Sequence, residues 1–230
     1  MIEVTYQDHM GDDLATVNAA RVSFGKTSKL VCTNLVLGLY DLAKGDRNLI
    51  SFLAREKHFS PFGHSYAKFH VKAPIFVARQ LVKHKFLRWN EISRRYVDDE
   101  PEFYEPDVWR GRSADKKQGS EGVIDLNTLP AYDYLSEGTM QDLLEENVFD
   151  IVAYYRAMIR HGVAPEQARM VLPQSTMTEW IWSGSLDAFA AMCRLRCAKD
   201  TQAETRIVAD QISNEMMKIF PVSWKALLDE

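Results

Sequence analysis

Residues 79–96 read RQLVKHKFLRWNEISRRY. These eighteen residues carry six Lys or Arg side chains and one His, whereas the whole chain has a formal net charge of −4. The positive charge is therefore local. A concentrated basic segment on an acidic protein favours an anionic ligand over general adhesion to polyanions. A basic helix end followed by a solvated loop would give the same composition.

The segment around this stretch predicts a strand, a helix and then a basic loop. Alternating apolar residues predict a half-buried strand over 65–73. Pro74 suits a first helical turn, so we expect a helix over 74–85, closed by cations that favour its negative end. We expect a loop over 86–93. The side chains that follow can bind phosphate oxygens, stack on a planar ring and read the polar edge of a base. They are Trp89, Asn90, Glu91, Ser93, Arg94, Arg95 and Tyr96.

The spacing of these residues resembles the signature of the flavin-dependent thymidylate synthases. In that signature Arg-His-Arg is followed by seven residues and a Ser, usually within Asn-Glu-x-Ser-x-Arg-Tyr. Here residues 83–85 read Lys-His-Lys, seven residues follow, and residues 90–96 read Asn-Glu-Ile-Ser-Arg-Arg-Tyr. Both Arg of the triplet are Lys. The charge is retained, but the planar fork that bonds bidentately is lost.

Four further segments resemble the same family, so that the likeness extends from residue 19 to residue 204 and is poorest over 100–135. Residues 19–24 (AARVSF) and 58–64 (HFSPFGH) resemble flavin-contacting segments of the family. Residues 168–173 (ARMVLP) resemble a segment whose Arg holds the nucleotide phosphate, and 195–204 contain a Leu-Arg followed by Gln and Glu. The chain departs from the family at Gly63, where many members have Glu, and at three positions where some members have Asn or Arg for the flavin. These three positions are Ser185, Asp187 and Ala191.

The resemblance implies an activity and assigns residues to it. The expected reaction is the reductive methylation of dUMP to dTMP, with FAD as cofactor and with NADPH and methylenetetrahydrofolate as co-substrates. Arg196 is the expected catalytic residue, which would polarise the uracil carbonyls. The expected substrate-binding residues are Gln80, Lys83, Glu91, Ser93, Arg94, Arg95, Arg169 and Arg196. The expected flavin-binding residues are Ser23, His58, Ser60, Lys83, His84, Lys85, Phe86, Asn90 and Glu91.

Two of these residues also have simpler interpretations. Ser23 can be a helix-stop residue, and Arg169 can form a surface ion pair. Ser93 is assigned to binding and not to nucleophilic attack, because no base is evident beside it in the sequence.

The resemblance also implies the fold, an α+β fold with a mainly antiparallel sheet flanked by helices. We expect a single domain over 1–230, assembled as a homotetramer with sites between subunits. Hydrophobic patterning adds a strand over 2–6 and another over 174–182. It predicts a mobile loop over 101–130, and Asp46 is the expected cap of a helix that runs to residue 56. Helices are expected over 14–20, 30–44, 138–160, 165–173, 185–198 and 201–220.

Composition excludes several other classes of protein. No run approaches eighteen apolar residues, and the N-terminus has no secretory pattern, so neither a membrane partner nor export is expected. Three cysteines are an odd, low number that favours reduced thiols in the cytoplasm. Cys193 and Cys197 form a lone C-x3-C pair, which is weak support for zinc, and we expect no metal.

Three alternatives to the synthase remain open at this stage. A single-stranded nucleic-acid-binding module would use the basic segment and Trp89, but the acidic chain and the single short patch argue against it, so no nucleic-acid partner is expected. A flavoprotein reductase would bind FAD without dUMP, which Glu91, Arg169 and Arg196 argue against. A catalytically weak relative would follow from the Lys-His-Lys triplet and Gly63.

Overall fold

The computed structural model describes residues 1–114, 120–131 and 138–229. Its strands are β1 (Glu3–Met10), β2 (Val31–Asn34), β3 (Leu39–Asp41), β4 (Tyr66–Pro74), β5 (Leu87–Glu91), β6 (Trp109–Arg112), β7 (Ser120–Ile124) and β8 (Met177–Ser185). Its helices are α1 (Asp13–Arg21), α2 (Lys44–Arg55), α3 (Ile75–Leu81), α4 (Met140–Arg160), α5 (Pro165–Ala168), α6 (Leu186–Arg196), α7 (Ala203–Ile219) and α8 (Pro221–Leu228).

The strands form one larger sheet and two hairpins. The four-stranded sheet has the order β1-β4-β8-β5. The strands β2 and β3 pair antiparallel, as do β6 and β7. The mixed helix and antiparallel sheet architecture confirms the expected α+β class. Within the part of the chain that the structure describes, no helix is both long and apolar enough to cross a membrane.

The chain divides into two compact units. The first unit comprises Met1, residues 72–80 and residues 91–179, and the second unit comprises residues 2–71, 81–90 and 180–230.

The core of the second unit is built on alternating strand residues and on tryptophans. On β4, Ala67, Phe69 and Val71 are buried, which confirms the predicted half-buried strand. Trp180 and Trp182 on β8 are almost fully buried. The ring of Phe69 meets that of Phe189 edge-on at 5.4 Å, which joins the strand to α6.

Buried aspartate and capping interactions fix the helices of the second unit. Asp12 caps α1 by accepting a hydrogen bond from Ala15 N at 2.7 Å. The next residue, Asp13, is buried and accepts from Val222 N at 2.9 Å and Ser223 N at 2.8 Å. Asp13 therefore satisfies amides at the start of α8, where a negative charge is favoured by the helix dipole.

The first unit is organised around the long helix α4. Thr139 and Asp142 form a capping box at its start, which confirms the predicted amphipathic helix. Tyr155 is its buried anchor, and Arg156 forms an ion pair with Glu100. The segment around Arg169 is also helical as predicted, with α5 followed by a 3₁₀ turn.

The helix expected over 30–44 is wrong, because this segment forms the hairpin of β2 and β3. Asn34 Oδ1 accepts hydrogen bonds from Val36 N and Leu37 N, both at 3.1 Å, and so closes the turn. Gly38 follows at φ +61°, a left-handed conformation that glycine adopts without strain. A turn of this kind overrides the apolar pattern that suggested a helix.

Other expected boundaries also change. The loop expected over 86–93 is largely strand β5, because its residues pair within the main sheet. The helix expected over 74–85 ends at Leu81, and the basic triplet lies in a turn behind it. Asp46 does not cap α2, whose N-cap is Ala43. Instead Asp46 is buried and accepts from Arg21 Nε at 3.0 Å.

The irregular loop expected over 101–130 contains the hairpin of β6 and β7, although residues 115–119 lie outside the described part. At the other end of the chain, Pro221 begins α8, a helix that the sequence reasoning missed. Proline at the first helical position has no unsatisfied amide to lose, so it starts a new helix here.

Candidate active site

A basic cavity of about 480 Å³ lies within the first unit. Three guanidinium groups line it, from Arg79 on α3, Arg94 after β5 and Arg169 after α5. Two glutamates also line it, Glu91 at the end of β5 and Glu166 on α5. Arginine offers five N–H donors in a planar fork, so three of them around one cavity suit an oxyanion such as phosphate.

The carboxylate of Glu91 is held in place by a residue distant in the chain. Thr178, on β8, is buried and donates a hydrogen bond from Oγ1 to Glu91 Oε1 at 2.7 Å. A charge-assisted bond of this length fixes the orientation of the carboxylate at the cavity wall. An oriented carboxylate can accept the N–H groups of a planar ligand.

Backbone carbonyls position two of the cavity's arginines. Arg94 donates from its terminal nitrogen to Asp99 O at 2.6 Å, and Arg169 donates from Nε to Glu166 O at 3.2 Å. Each anchor uses a single N–H of a guanidinium group that has five. The arginines are therefore oriented while keeping further donors for a ligand.

The neighbouring residues Ser93 and Arg95 form a contact of their own. Arg95 Nε donates to Ser93 Oγ at 3.2 Å, and its guanidinium lies over the ring of Tyr96 at 5.0 Å. Neither Ser93 nor Arg95 lines the cavity, and neither does Gln80, which is half-buried on α3. The structure thus brings together Glu91, Arg94 and Arg169 from the expected substrate set.

A second cluster lies within the second unit, where Arg196 meets His84. Arg196, in the last turn of α6, donates from Nε to His84 Nε2 at 3.0 Å. Burial, with a further contribution from the Arg196 charge, lowers the pKa of His84 from 6.5 to about 4. His84 is therefore neutral at pH 7, with Nε2 as acceptor. The imidazole fixes the guanidinium without neutralising its positive charge.

The remaining residues expected at the flavin are mostly exposed in the second unit. Lys83 and Lys85 lie in the turn before β5, and the ring of Phe86 is 83% exposed at a positive φ of 65°. The side chains of Ser23, Ser60, His58 and Asn90 are also exposed.

These side chains fit a flavin adenine dinucleotide by their chemistry. Two ammonium groups suit its diphosphate, an exposed ring can stack on a planar system, and amide and hydroxyl groups can bond polar edges. Two of the departures from the family lie side by side. A Cβ at Gly63 would lie 4.0 Å from Asp187 Oδ1, so both positions belong to one local environment.

Trp89 does not present a free ring to a ligand. Its indole stacks on that of Trp180 with ring centroids 4.2 Å apart, and it meets Trp182 edge-on at 5.6 Å. The ring is part of the core of the second unit. This weakens the alternative in which Trp89 stacks on the bases of a single strand.

Arg79 and Thr178 line the basic cavity but were not among the expected site residues. Arg79 belongs to the basic segment, so a count of its cations could have included it. Thr178 gave no signal, because it lies 87 positions from the Glu91 that it holds. Among the residues that the structure describes, no three His, Cys, Asp or Glu side chains are grouped as metal ligands would be.

Comparison with known proteins agrees with this chemistry. A flavin-dependent thymidylate synthase of Thermus thermophilus is 40% identical over 219 residues, which cover 95% of this chain and 73% of the relative. That of Thermosipho africanus is 36% identical over 221 residues, covering 96% and 88%. The crystal structure of the UMP/dUMP methylase PolB from Streptomyces cacaoi, bound with 5-Br UMP, superimposes with a TM-score of 0.78 at 27% identity. This alignment covers 100% of this chain and 94% of that one.

A family profile gives the most direct assignment. The profile described as "Thymidylate synthase complementing protein" matches residues 6–222, nearly the whole chain. The two relatives compared above carry the name flavin-dependent thymidylate synthase. This chain belongs to the thymidylate synthase complementing protein family, that of the flavin-dependent thymidylate synthases.

Proposed function

We propose that this chain catalyses the reductive methylation of dUMP to dTMP, with FAD as cofactor and NADPH and methylenetetrahydrofolate as co-substrates. The observation that carries the proposal is the basic cavity in which three arginines accompany one oriented glutamate. A nucleoside monophosphate combines a doubly charged phosphate with a planar base, and this set of groups suits both. The proposal treats residues 1–230 as one functional domain.

Phosphate binding is assigned to the arginines of the first unit. Arg94 and Arg169 are the proposed phosphate ligands, because each is anchored at the cavity by a backbone carbonyl. Ser93 and Arg95, which hydrogen-bond each other, are proposed to add a hydroxyl and a further cation. Gln80, Lys83 and Glu91 complete the proposed nucleotide set.

Arg196 is the proposed catalytic residue. Its guanidinium would donate hydrogen bonds to the uracil carbonyls and stabilise negative charge that develops on the ring. The neutral imidazole of His84 supports this role. It accepts a hydrogen bond from Arg196 and so orients the guanidinium, and it does not neutralise the cationic charge. Orientation of this kind limits the reorganisation needed when charge develops.

The flavin would be held mainly by exposed side chains of the second unit. Lys83 and Lys85 are proposed to meet its diphosphate, and Phe86 is proposed to pack on it. The remaining proposed contacts are Ser23, His58, Ser60, His84, Asn90 and Glu91. When bound, FAD would accept a hydride from NADPH and pass it to the transferred one-carbon group, which would become a methyl group.

Neither Cys193 nor Cys32 is placed to act as a nucleophile. Cys193 is buried, and burial raises the pKa of its thiol well above the ordinary value, so it stays protonated. Cys32 lies on the exposed β2 strand, outside both clusters. The chemistry is therefore assigned to the cofactor, with the protein supplying position and charge.

Assembly and location complete the proposal. A homotetramer with sites between subunits is proposed from the family, and the exposed rings of Phe149 and Tyr154 on α4 are compatible with a subunit interface. All three cysteines are free thiols, which suits a reducing compartment, and the cytoplasm is the proposed location.

The first test is spectroscopic. The purified protein is mixed with FAD, and its visible spectrum is recorded before and after addition of dUMP. We expect a bound-flavin spectrum that changes with dUMP but not with deoxyuridine at the same concentration. A bound flavin that ignores dUMP would indicate a flavoprotein reductase, and no flavin binding would contradict the proposal.

A further inference from the structure

An uncharged apolar ribbon projects from the second unit. It comprises residues 30–40 of the hairpin of β2 and β3, which read LVCTNLVLGLY without a charged side chain. Asp41, the last residue of β3, carries the charge of the hairpin. Every residue from 31 to 40 is exposed. At the turn, Leu35 is 83%, Val36 94% and Leu37 68% exposed.

The exposed surface of the ribbon is large for a monomer. Counted with their backbone, its seven large apolar residues expose roughly 800 Å², and their side chains alone reach the upper end of the about 300–600 Å² typical of the largest apolar patch on a monomer. The whole-residue area is about what each partner buries in an interface of standard size. The residues are Leu30, Val31, Leu35, Val36, Leu37, Leu39 and Tyr40.

The ribbon is well defined although neither of its faces is covered. Its turn is closed by Asn34 and Gly38, and Thr33 Oγ1 donates to Leu39 O at 3.2 Å across the strands. At its base Arg47 forms an ion pair with Asp41. A two-stranded hairpin alone is at best marginally stable in water. Burial of its apolar side chains against a partner surface would therefore add to its stability.

We propose that the ribbon is a contact surface for a second copy of this chain. This rests on the proposed homotetramer and names one of the surfaces that hold it together. The composition points to a copy of the same chain, because interfaces between unlike, separable proteins are about as polar as ordinary surface. Interfaces of permanent homo-oligomers are the more apolar ones, and the ribbon contains no charge at all.

The test uses one substitution on the ribbon and a matched one elsewhere. Val36→Asp places a charge at the exposed turn, and Val123→Asp places the same charge on the exposed Val123 of β7. Both side chains are exposed, so both variants should fold, which far-UV circular dichroism checks. Mass in solution is measured by light scattering, and alkylation of the exposed Cys32 reports on the ribbon directly.

We expect the wild type and Val123→Asp to have the same oligomeric mass, and Cys32 to be alkylated slowly in both. In Val36→Asp, Cys32 should be alkylated several-fold faster. The mass of this variant should fall towards that of a single 26.4 kDa chain. Equal alkylation rates in the wild type and Val36→Asp would overturn the proposal. A monomeric wild type would also overturn it. So would a ribbon that binds phospholipid vesicles, if Val36→Asp leaves the mass in solution unchanged.

Failure of this inference can be separated from failure of the proposed function. A wild type that forms dTMP but leaves Cys32 fully reactive would remove the interface and leave the function. If Cys32 is protected in the wild type and reactive in Val36→Asp, but the wild type forms no dTMP, the interface stands and the proposed function fails.

Discussion

Arg196 donates a hydrogen bond from Nε to His84 Nε2 at 3.0 Å, although the two residues lie 112 positions apart. The resemblance assigned Arg196 to the nucleotide and His84 to the flavin. The structure joins them in one contact, in which a neutral imidazole orients a catalytic candidate. Because this acceptor is uncharged, the contact itself does not neutralise the cationic charge of Arg196.

The first prediction concerns pH. The pKa of His84 is about 4 in the folded protein and 6.5 ordinarily, so between these values the unfolded chain binds the proton and the folded chain does not. The free energy of unfolding should therefore be highest, as far as His84 determines it, above about pH 6.5. It should decrease as the pH falls from 6.5 towards 4. Chemical denaturation measured from pH 4 to pH 8 checks this.

His84→Gln is the variant that isolates this effect, because an amide oxygen can still accept from Arg196 but does not titrate. Its stability should depend less on pH in that window. His161→Gln, at the exposed end of α4, should behave as the wild type. An unaltered pH dependence in His84→Gln would contradict the assignment.

The second prediction concerns catalysis by Arg196. Arg196→Ala should lower kcat for dTMP formation by roughly 10²–10³-fold, the cost of removing one donor to developing negative charge. Arg206→Ala removes a half-buried arginine that bonds Lys199 O on the neighbouring segment, and it serves as the control. Turnover of Arg196→Ala at the wild-type rate would remove Arg196 from the mechanism.

The third prediction concerns Thr178 as a positioning residue. Thr178→Val keeps the side-chain shape but removes the donor to Glu91, a bond to a charged group worth about 1.5–3 kcal/mol. We expect KM for dUMP to rise by roughly tenfold or more. Thr178→Ser retains the hydroxyl and should restore most of the affinity. Equal losses in the Val and Ser variants would point to packing instead.

The fourth prediction separates phosphate binding from base binding. Arg169→Ala should reduce kcat/KM for dUMP by roughly 10- to 100-fold, as expected for a lost charge-assisted bond. It should barely change any turnover of deoxyuridine, which has no phosphate. Arg160→Ala, an exposed arginine at the end of α4, is the control. Equal losses with both substrates would place Arg169 away from the phosphate.

The sequence predicted those helices and strands whose formation depends on short-range patterns of apolar and capping residues. The alternation on β4 and the amphipathic pattern with its cap on α4 both appear as expected. The hairpin at 31–41 was not predicted. A turn closed by Asn34 reverses the chain inside an apolar run that suggested a helix. Apolar composition alone does not separate a buried helix from an exposed ribbon.

The candidate site was predictable only where one segment carries the chemistry. The basic stretch supplied Glu91 and Arg94, and the resemblance added Arg169. Thr178 was not predictable, because its bond to Glu91 spans 87 positions and a buried threonine on a strand is common. The lowered pKa of His84 follows from burial and from Arg196, and neither can be read from the triplet itself.

The most direct test of the central claim is turnover by the purified protein. dUMP, methylenetetrahydrofolate and NADPH are supplied with and without added FAD, and dTMP is quantified by chromatography. We predict dTMP formation that depends on both FAD and dUMP and is lost in Arg196→Ala. Oxidation of NADPH without any dTMP, or dTMP formed equally well by flavin-free protein, would contradict the account.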